Sequence, residues 1–415
     1  MSDSHEVNSF DLLCDFVIIA LVAVLFTFSP NAKSIFLPVE ILFLSTFGVR
    51  FLVRKSKLSL YTVWSLGLIL LAFFSTTYAP DKKAAGKIAI SLVQVALFGN
   101  LIVPYFRDSK RNIHVFLLAC MIGAIGLGIR LWFSAPFSQL IAGRLGGTID
   151  INENQVGFFF AIAFLVAFYY GIVEKRIWLI PISLVFAVVS FFSGSKKVVI
   201  VILIGLFLLV LLTRKPTFAS FSVLILFIGA GIGLLVLSLT WQPLYVVLGS
   251  RIEPLFGLLF GGPMDESTSI RWNMMQTGWS MFLEKPVFGS GLGAFAHSYI
   301  YQTYSHNNYI EILVSLGLVG FIWIYGSLLW VLLKSVKVYF SAHRTNLSIL
   351  SITLLLVLFA DDIARVRFYS ETSHLFYALC YAAALSHLPQ TGIDIPTLLS
   401  KVWQWLKHPS VSLKG

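Results

Sequence analysis

His306 and Asn307 stand where a long polar segment gives way to an apolar helical run, Tyr309-Ile-Glu-Ile-Leu-Val-Ser-Leu316. A histidine at such a boundary can serve as a general base near neutral pH, although an interfacial histidine can equally be structural. Glu311 lies about one turn into the run, where a carboxylate is costly unless paired. It either orients His306 or meets a basic residue, and with Asn307 it is a candidate supporting group. Gly317-Leu-Val-Gly320 follows, and its glycines let a neighbouring helix approach closely.

A second set of residues is cationic. Ser193-Gly194-Ser195-Lys196-Lys197 gathers two hydroxyls and two ammonium groups at a helix start, a plausible seat for phosphate or simply a charged turn. Arg271 opens a helix-compatible segment, Ser269–Leu283, and Arg144, Arg251 and Arg365 lie in other polar connections. Arginine suits bidentate binding of a phosphate group, though any one of these can be a solvated charge. Asp361-Asp362, Arg365, Arg367, Glu371 and His374 form a last cluster, read as self-neutralising ion pairs without metal-ligand spacing. No metal and no cofactor is expected. Gly289-Ser-Gly-Leu-Gly293 has glycines like a dinucleotide fingerprint, but no strand precedes it. It reads as a turn returning the chain toward His306.

The elements that hold these residues must be membrane helices. The chain is 58% hydrophobic and 12% charged, against roughly 45–50% and about 25% in soluble domains. Apolar runs near the ~20 residues of a bilayer span recur along the chain. They predict an all-α, polytopic integral membrane protein with about twelve spans, at roughly 13–30, 35–53, 58–78, 87–106, 113–134, 154–173, 177–193, 197–213, 217–240, 307–333, 346–360 and 374–388. The first lacks a basic flank and a small-residue cleavage site, so it reads as a retained helix. Cys14, Cys120 and Cys380 lie in apolar stretches and read as buried small hydrophobes.

Charge sets the orientation. Basic clusters at Arg54–Lys57, Arg107–Arg111, Lys175-Arg176, Arg214-Lys215 and Lys334–Arg344 occupy alternate connections, which should be cytoplasmic along with both termini. This pattern, with an anionic ligand, accounts for the net charge of +11 without nucleic acid. The opposite connections should be poor in Lys and Arg, yet they hold Lys82, Lys83, Lys87 and Lys285 besides the cations named above. The organisation is then nine spans in 1–240, a large extracytoplasmic loop with short helices in 241–305, three spans in 306–388 and a cytoplasmic tail in 389–415. Ile395–Lys407 in that tail reads as an amphipathic helix lying on membrane lipid.

Several of these motifs together resemble the O-antigen ligase/O-antigen polymerase family of bacterial envelope glycosyltransferases. They are His306-Asn307 with Gly-x-x-Gly after nine residues, the approach from Arg271 through Glu284-Lys-Pro-Val-Phe-Gly-Ser-Gly-Leu-Gly-Ala-Phe295, Ser193-Gly-Ser-Lys196, and Arg144-Leu-Gly-Gly147 with Asn154. Two positions depart from the family pattern: Lys196 stands where arginine is usual, and Phe321 follows Gly320. The resemblance implies a GT-C-like, inverting, metal-independent enzyme of the inner membrane with its site facing the periplasm. It implies a glycan donor linked through diphosphate to undecaprenol, held by Lys196, Lys197, Arg271, Arg144, Arg251 and Arg365, with His306 acting on the acceptor hydroxyl. The acceptor is another glycan in a polymerase, the form these motifs resemble slightly more, or lipid A–core in a ligase. A chain-length regulator is a conceivable partner. A lipid-linked sugar flippase is the distant alternative, disfavoured by spans nearly free of charge.

Overall fold

The computed structural model describes residues 9–28, 32–136, 145–213, 218–250, 252–253, 266–298, 300–342 and 344–386. Among these the chain is helical and contains no strand. The longer helices are α1 (Ser9–Thr27), α2 (Lys33–Val53), α3 (Leu60–Thr76), α4 (Lys82–Asp108), α5 (Lys110–Ser134), α6 (Glu153–Ile172) and α7 (Leu179–Phe192). They continue with α8 (Lys196–Thr213), α9 (Phe218–Thr240), α10 (Glu266–Glu284), α11 (Asn308–Phe340), α12 (Asn346–Asp362) and α13 (Glu371–Ala384). Seven of them, α1, α2, α4, α5, α6, α8 and α11, are long and apolar enough to cross a membrane; α3, α7 and Ile228–Thr240 of α9 are shorter apolar helices. The chain is a polytopic membrane protein.

Its packing follows from helices that are apolar on all sides. α6 is the central one, buried from Val156 to Gly171 and packed on α5, α7 and α8. Around it α1 packs on α5, α12 on α8, and α13 on α4. The peripheral helices turn Leu52, Leu70 and Phe133 outward. Such a surface would associate in water, whereas lipid tails are as apolar as leucine. The three cysteines are free and buried, as their apolar settings imply.

Several helix ends differ from the hydropathy pattern because polar caps, not apolar residues, fix them. The Asp81 carboxylate accepts the amides of Lys83 and Ala84, both at 2.9 Å, and starts α4 five residues before the apolar run at Lys87. α10 is likewise longer at both ends than Ser269–Leu283, and α11 runs on to Phe340. The tail segment 395–407 lies outside the described residues.

The largest departure is inside α11. Gly317 has φ +64° and ψ −163°, so the helix is broken there. The turn at 286–291 is inserted into the break. Ser290 N–H donates to Val314 O (2.7 Å) and Gly291 N–H to Ser315 O (3.0 Å). From the other side, Leu318 N–H donates to Pro286 O (2.8 Å) and Val319 N–H to Val287 O (3.1 Å). Four groups that would each cost several kcal/mol unpaired in lipid are thereby satisfied. A Cβ on Gly317 would lie 2.3 Å from Val287 O, and one on Gly289 2.6 Å from Val314 O. Of the two glycines expected to admit a neighbouring helix, Gly317 admits a loop, while a Cβ on Gly320 would meet Leu316 of its own helix. Because that loop follows α10 directly, the break also fixes α10 against α11.

Candidate active site

A cavity of about 330 Å³ forms where several helix ends meet. Asn152, Asn154 and Gln155 come from the start of α6, Lys197 from the first turn of α8 and Arg271 from α10. Tyr304 and His306 precede α11, and Ala364, Arg365, Val366 and Tyr369 connect α12 to α13. The N-termini of α6, α8 and α11 thus share one end of the bundle, an arrangement that favours an anion.

His306 is held by its neighbours in sequence. Its backbone is left-handed, φ +55°, which is uncommon for a residue with a Cβ. The buried Glu311 carboxylate accepts Ser305 N–H at 2.8 Å, and Ser305 Oγ–H donates to Asn307 O at 2.9 Å. Asn307 caps α11 by accepting Ile310 N–H (3.0 Å), while its amide donates to Ile363 O (3.1 Å) in the segment that carries Arg365. Glu311 and Asn307 therefore both shape the turn that presents the imidazole. The ring lies against Tyr304, centroids 4.4 Å apart. Burial, then the charges of Arg271 and Lys197, hold its pKa down at about 4, so it is neutral at pH 7.

The cations divide into two groups. Arg367 is fully buried and pairs with Asp361 through Nη2 and with Asp362 through Nε at 2.5 Å. Its amide donates to Asn308 Oδ1 (2.9 Å), Asn308 Nδ2 donates to Tyr325 OH (2.8 Å), and Tyr325 donates to Asp362 (2.8 Å). Arg367 is thus enclosed within the protein. Arg365, by contrast, lines the cavity and stacks over Phe158 at 5.0 Å; each of the two guanidiniums has a buried Nη1 without a hydrogen-bond partner among the described residues, but Arg367 alone forms ion pairs. Lys197 bridges the groups, with Nζ 3.2 Å from Asp361 Oδ1 and 3.4 Å from Ala364 O. The cavity lining holds three cations, Lys197, Arg271 and Arg365, and no carboxylate, and of the three Lys197 is the one paired with a buried carboxylate, Asp361, so the cavity is left electropositive.

The cavity thus joins His306, Lys197, Arg271 and Arg365 from distant parts of the chain. It does not include Lys196, whose Nζ instead reaches Thr268 Oγ1 of α10 at 3.4 Å. Arg144 and Arg251 lie outside the described residues. Two members of the last cluster have other places. His374 sits in the core between Tyr61 OH (3.0 Å) and Phe368 O (2.8 Å), and Glu371 is the first residue of α13. Among the described residues no three His, Cys, Asp or Glu side chains group as metal ligands. Asn152, Gln155, Tyr304 and Tyr369 are lining residues that sequence reasoning missed. The polar run Asn152-Glu-Asn-Gln155 ahead of an apolar helix is the one signal that pointed to any of them.

A family model described as O-antigen ligase matches residues 181–325. The matched segment, about a third of the chain, is similar to an O-antigen ligase domain. It spans α7 to the middle of α11 and so contains Lys196, Lys197, Arg271, His306, Glu311 and the Gly317 break. No curated protein matches the chain. The matched segment supplies three of the four groups gathered in the cavity, and the α12–α13 connection adds Arg365 from beyond it.

Proposed function

We propose that this chain is a periplasm-facing inner-membrane glycosyltransferase that moves an undecaprenyl-diphosphate-linked glycan onto a sugar hydroxyl, most simply as a repeat-unit polymerase. The observation that carries this is one electropositive cavity holding a neutral histidine among Lys197, Arg271 and Arg365. A diphosphate diester carries two negative charges, which the three lining cations can hold. Arg271 and Arg365 offer forked donors, and Lys197 adds a point charge. Lys196, at the rim, is a further contact.

The acceptor hydroxyl attacks the anomeric carbon from the face opposite the diphosphate, forming one C–O bond as the other breaks, with inversion. The electron pair leaves on the diphosphate, which is stable as an anion and needs neutralising charge more than a proton. The hydroxyl proton passes to His306. A diphosphate among Arg271 and Lys197 offsets two of the influences that depress the imidazole pKa, so the base strengthens when the donor is bound. All neutralising charge in this scheme comes from side chains, so no metal or cofactor enters it.

A second reading is favoured by the description of the matching family model, O-antigen ligase, in which lipid A–core is the acceptor. A deletion strain separates the two: loss of a polymerase leaves single repeat units on lipid A–core, whereas loss of a ligase leaves none. A flippase is not favoured by the α11 break. In transporters unwound backbone lines a substrate or ion site, whereas here residues 286–291 fill it. The decisive test is the purified chain in nanodiscs with lipid-linked glycan and acceptor. Transfer by the wild type, and transfer slowed by about 10²–10⁴-fold in His306→Ala, is expected. Absence of transfer by the wild type would sink the reading.

A further inference from the structure

α8 begins with two lysines that open onto different surroundings. Lys197 lines the polar cavity and is followed on its side of the helix by buried Val198, Val201 and Ile202. Lys196 starts the other stripe, with Val199 and Leu203 three and seven residues further on. Val199 and Leu203 line a separate cavity of about 350 Å³, together with Phe191 of α7 and Ile228, Gly231 and Leu235 of α9. Its lining is apolar. Lys196 is tied to the polar site as well, because Thr268, which its Nζ reaches at 3.4 Å, lies three residues before Arg271 on α10. The lysine therefore stands between the cation cluster and the apolar groove.

An amphiphile with its anionic head at Lys197, Arg271 and Arg365 passes Lys196 and meets the α7–α8–α9 groove next. We infer that this groove seats the first isoprene units of the donor's polyprenyl chain, with Lys196 at the junction of diphosphate and prenyl group; this rests on the donor proposed above. The groove holds a few isoprene units and leaves the rest of the chain in the bilayer. At Gly231 a Cβ would meet nothing within 4 Å, so the helix wall is open where branch methyls need space. A second apolar groove, of about 420 Å³ and lined by Trp64, Trp323 and Trp330, is badly placed for the same tail. Trp323 lies on α11 past the Gly317 break from His306, and its indole N–H donates to Trp64 O of α3.

The test uses the full chain in nanodiscs with a polyprenyl-diphosphate-linked sugar carrying a photoreactive group on its first isoprene units. Adducts on Val199, Leu203 or Ile228–Leu235, displaced by unlabelled polyprenyl diphosphate, are expected. Adducts confined to other helices overturn the inference, and so does a groove labelled by photoreactive phospholipid that polyprenyl diphosphate cannot displace. Gly231→Leu narrows the groove from a position where the added Cβ meets nothing within 4 Å. It is expected to raise the half-saturating concentration about tenfold more for a polyprenyl donor than for a one-isoprene donor. An equal effect on both donors speaks against the groove. Labelling in the groove by a wild type that moves no glycan would overturn the enzyme reading alone; glycan transfer with labelling elsewhere would overturn the groove alone.

Discussion

Arg365 and Arg367 are separated by one residue, yet they occupy opposite electrostatic settings. Arg367 is closed in by Asp361 and Asp362, and its backbone is tied to Asn308. Arg365 forms no ion pair among the described residues and opens onto the cavity of His306. The first cation has its counter-charges built in; the second has none at ion-pair distance among the described residues. A buried charge acts as structure when its partners are built in, and as a binding group when they are left to the substrate.

Substitution separates the two most sharply. Arg367→Met leaves Asp361 and Asp362 buried without their main partner, a change that typically costs about 3–5 kcal/mol. The folded protein recovered from membranes and its thermal midpoint are both expected to fall. Arg365→Met should keep both and lose donor binding instead; equal destabilisation by the two variants would erase the contrast. His306→Ala is expected to slow transfer about 10²–10⁴-fold, the range for a lost general base, at unchanged membrane levels. Kinetics on matched protein amounts check this.

The Gly317 break tests how firmly the cavity's parts are held together. Gly317→Ala introduces a Cβ against Val287 O in a left-handed conformation, at a cost of about 1–3 kcal/mol. Thermal stability and activity should decline together, since α10 carries Arg271 and α11 follows His306. Unchanged activity in that variant would separate the break from the site.

The smallest effect is in pH. His306 in the empty site has its pKa lowered to about 4 from the ordinary 6.5. Between those values the unfolded chain binds a proton that the fold refuses, so its contribution to stability is lost as pH falls from 6.5 toward 4. For catalysis, the acid limb of kcat/KM should lie well below pH 6.5, and that of kcat should lie higher, because the bound diphosphate offsets Arg271 and Lys197. Coincident limbs in the two profiles would remove the charge coupling between donor and base.

Much of this was legible in residue order. The apolar runs predicted the helices because lipid selects composition over spans of that length, and His306, Lys197, Arg271 and Arg365 stood out as polar residues beside them. Helix ends were less legible: Asp81 begins α4 by capping two amides, a local hydrogen bond that hydropathy does not register. The break at Gly317 could not be read from its own helix, since what opens it is a turn some thirty residues earlier.

The sequence by itself therefore determined that the chain lives in a membrane and which side chains could carry charge or a proton. Tertiary structure decided how they divide: Lys197 in the cavity and Lys196 at its edge, Arg365 open and Arg367 enclosed, α11 cut to admit the turn that follows α10. The physical reason is that hydrophobicity and helix periodicity act along the chain, whereas the fate of a buried charge depends on which carboxylates other helices bring within about 4 Å of it.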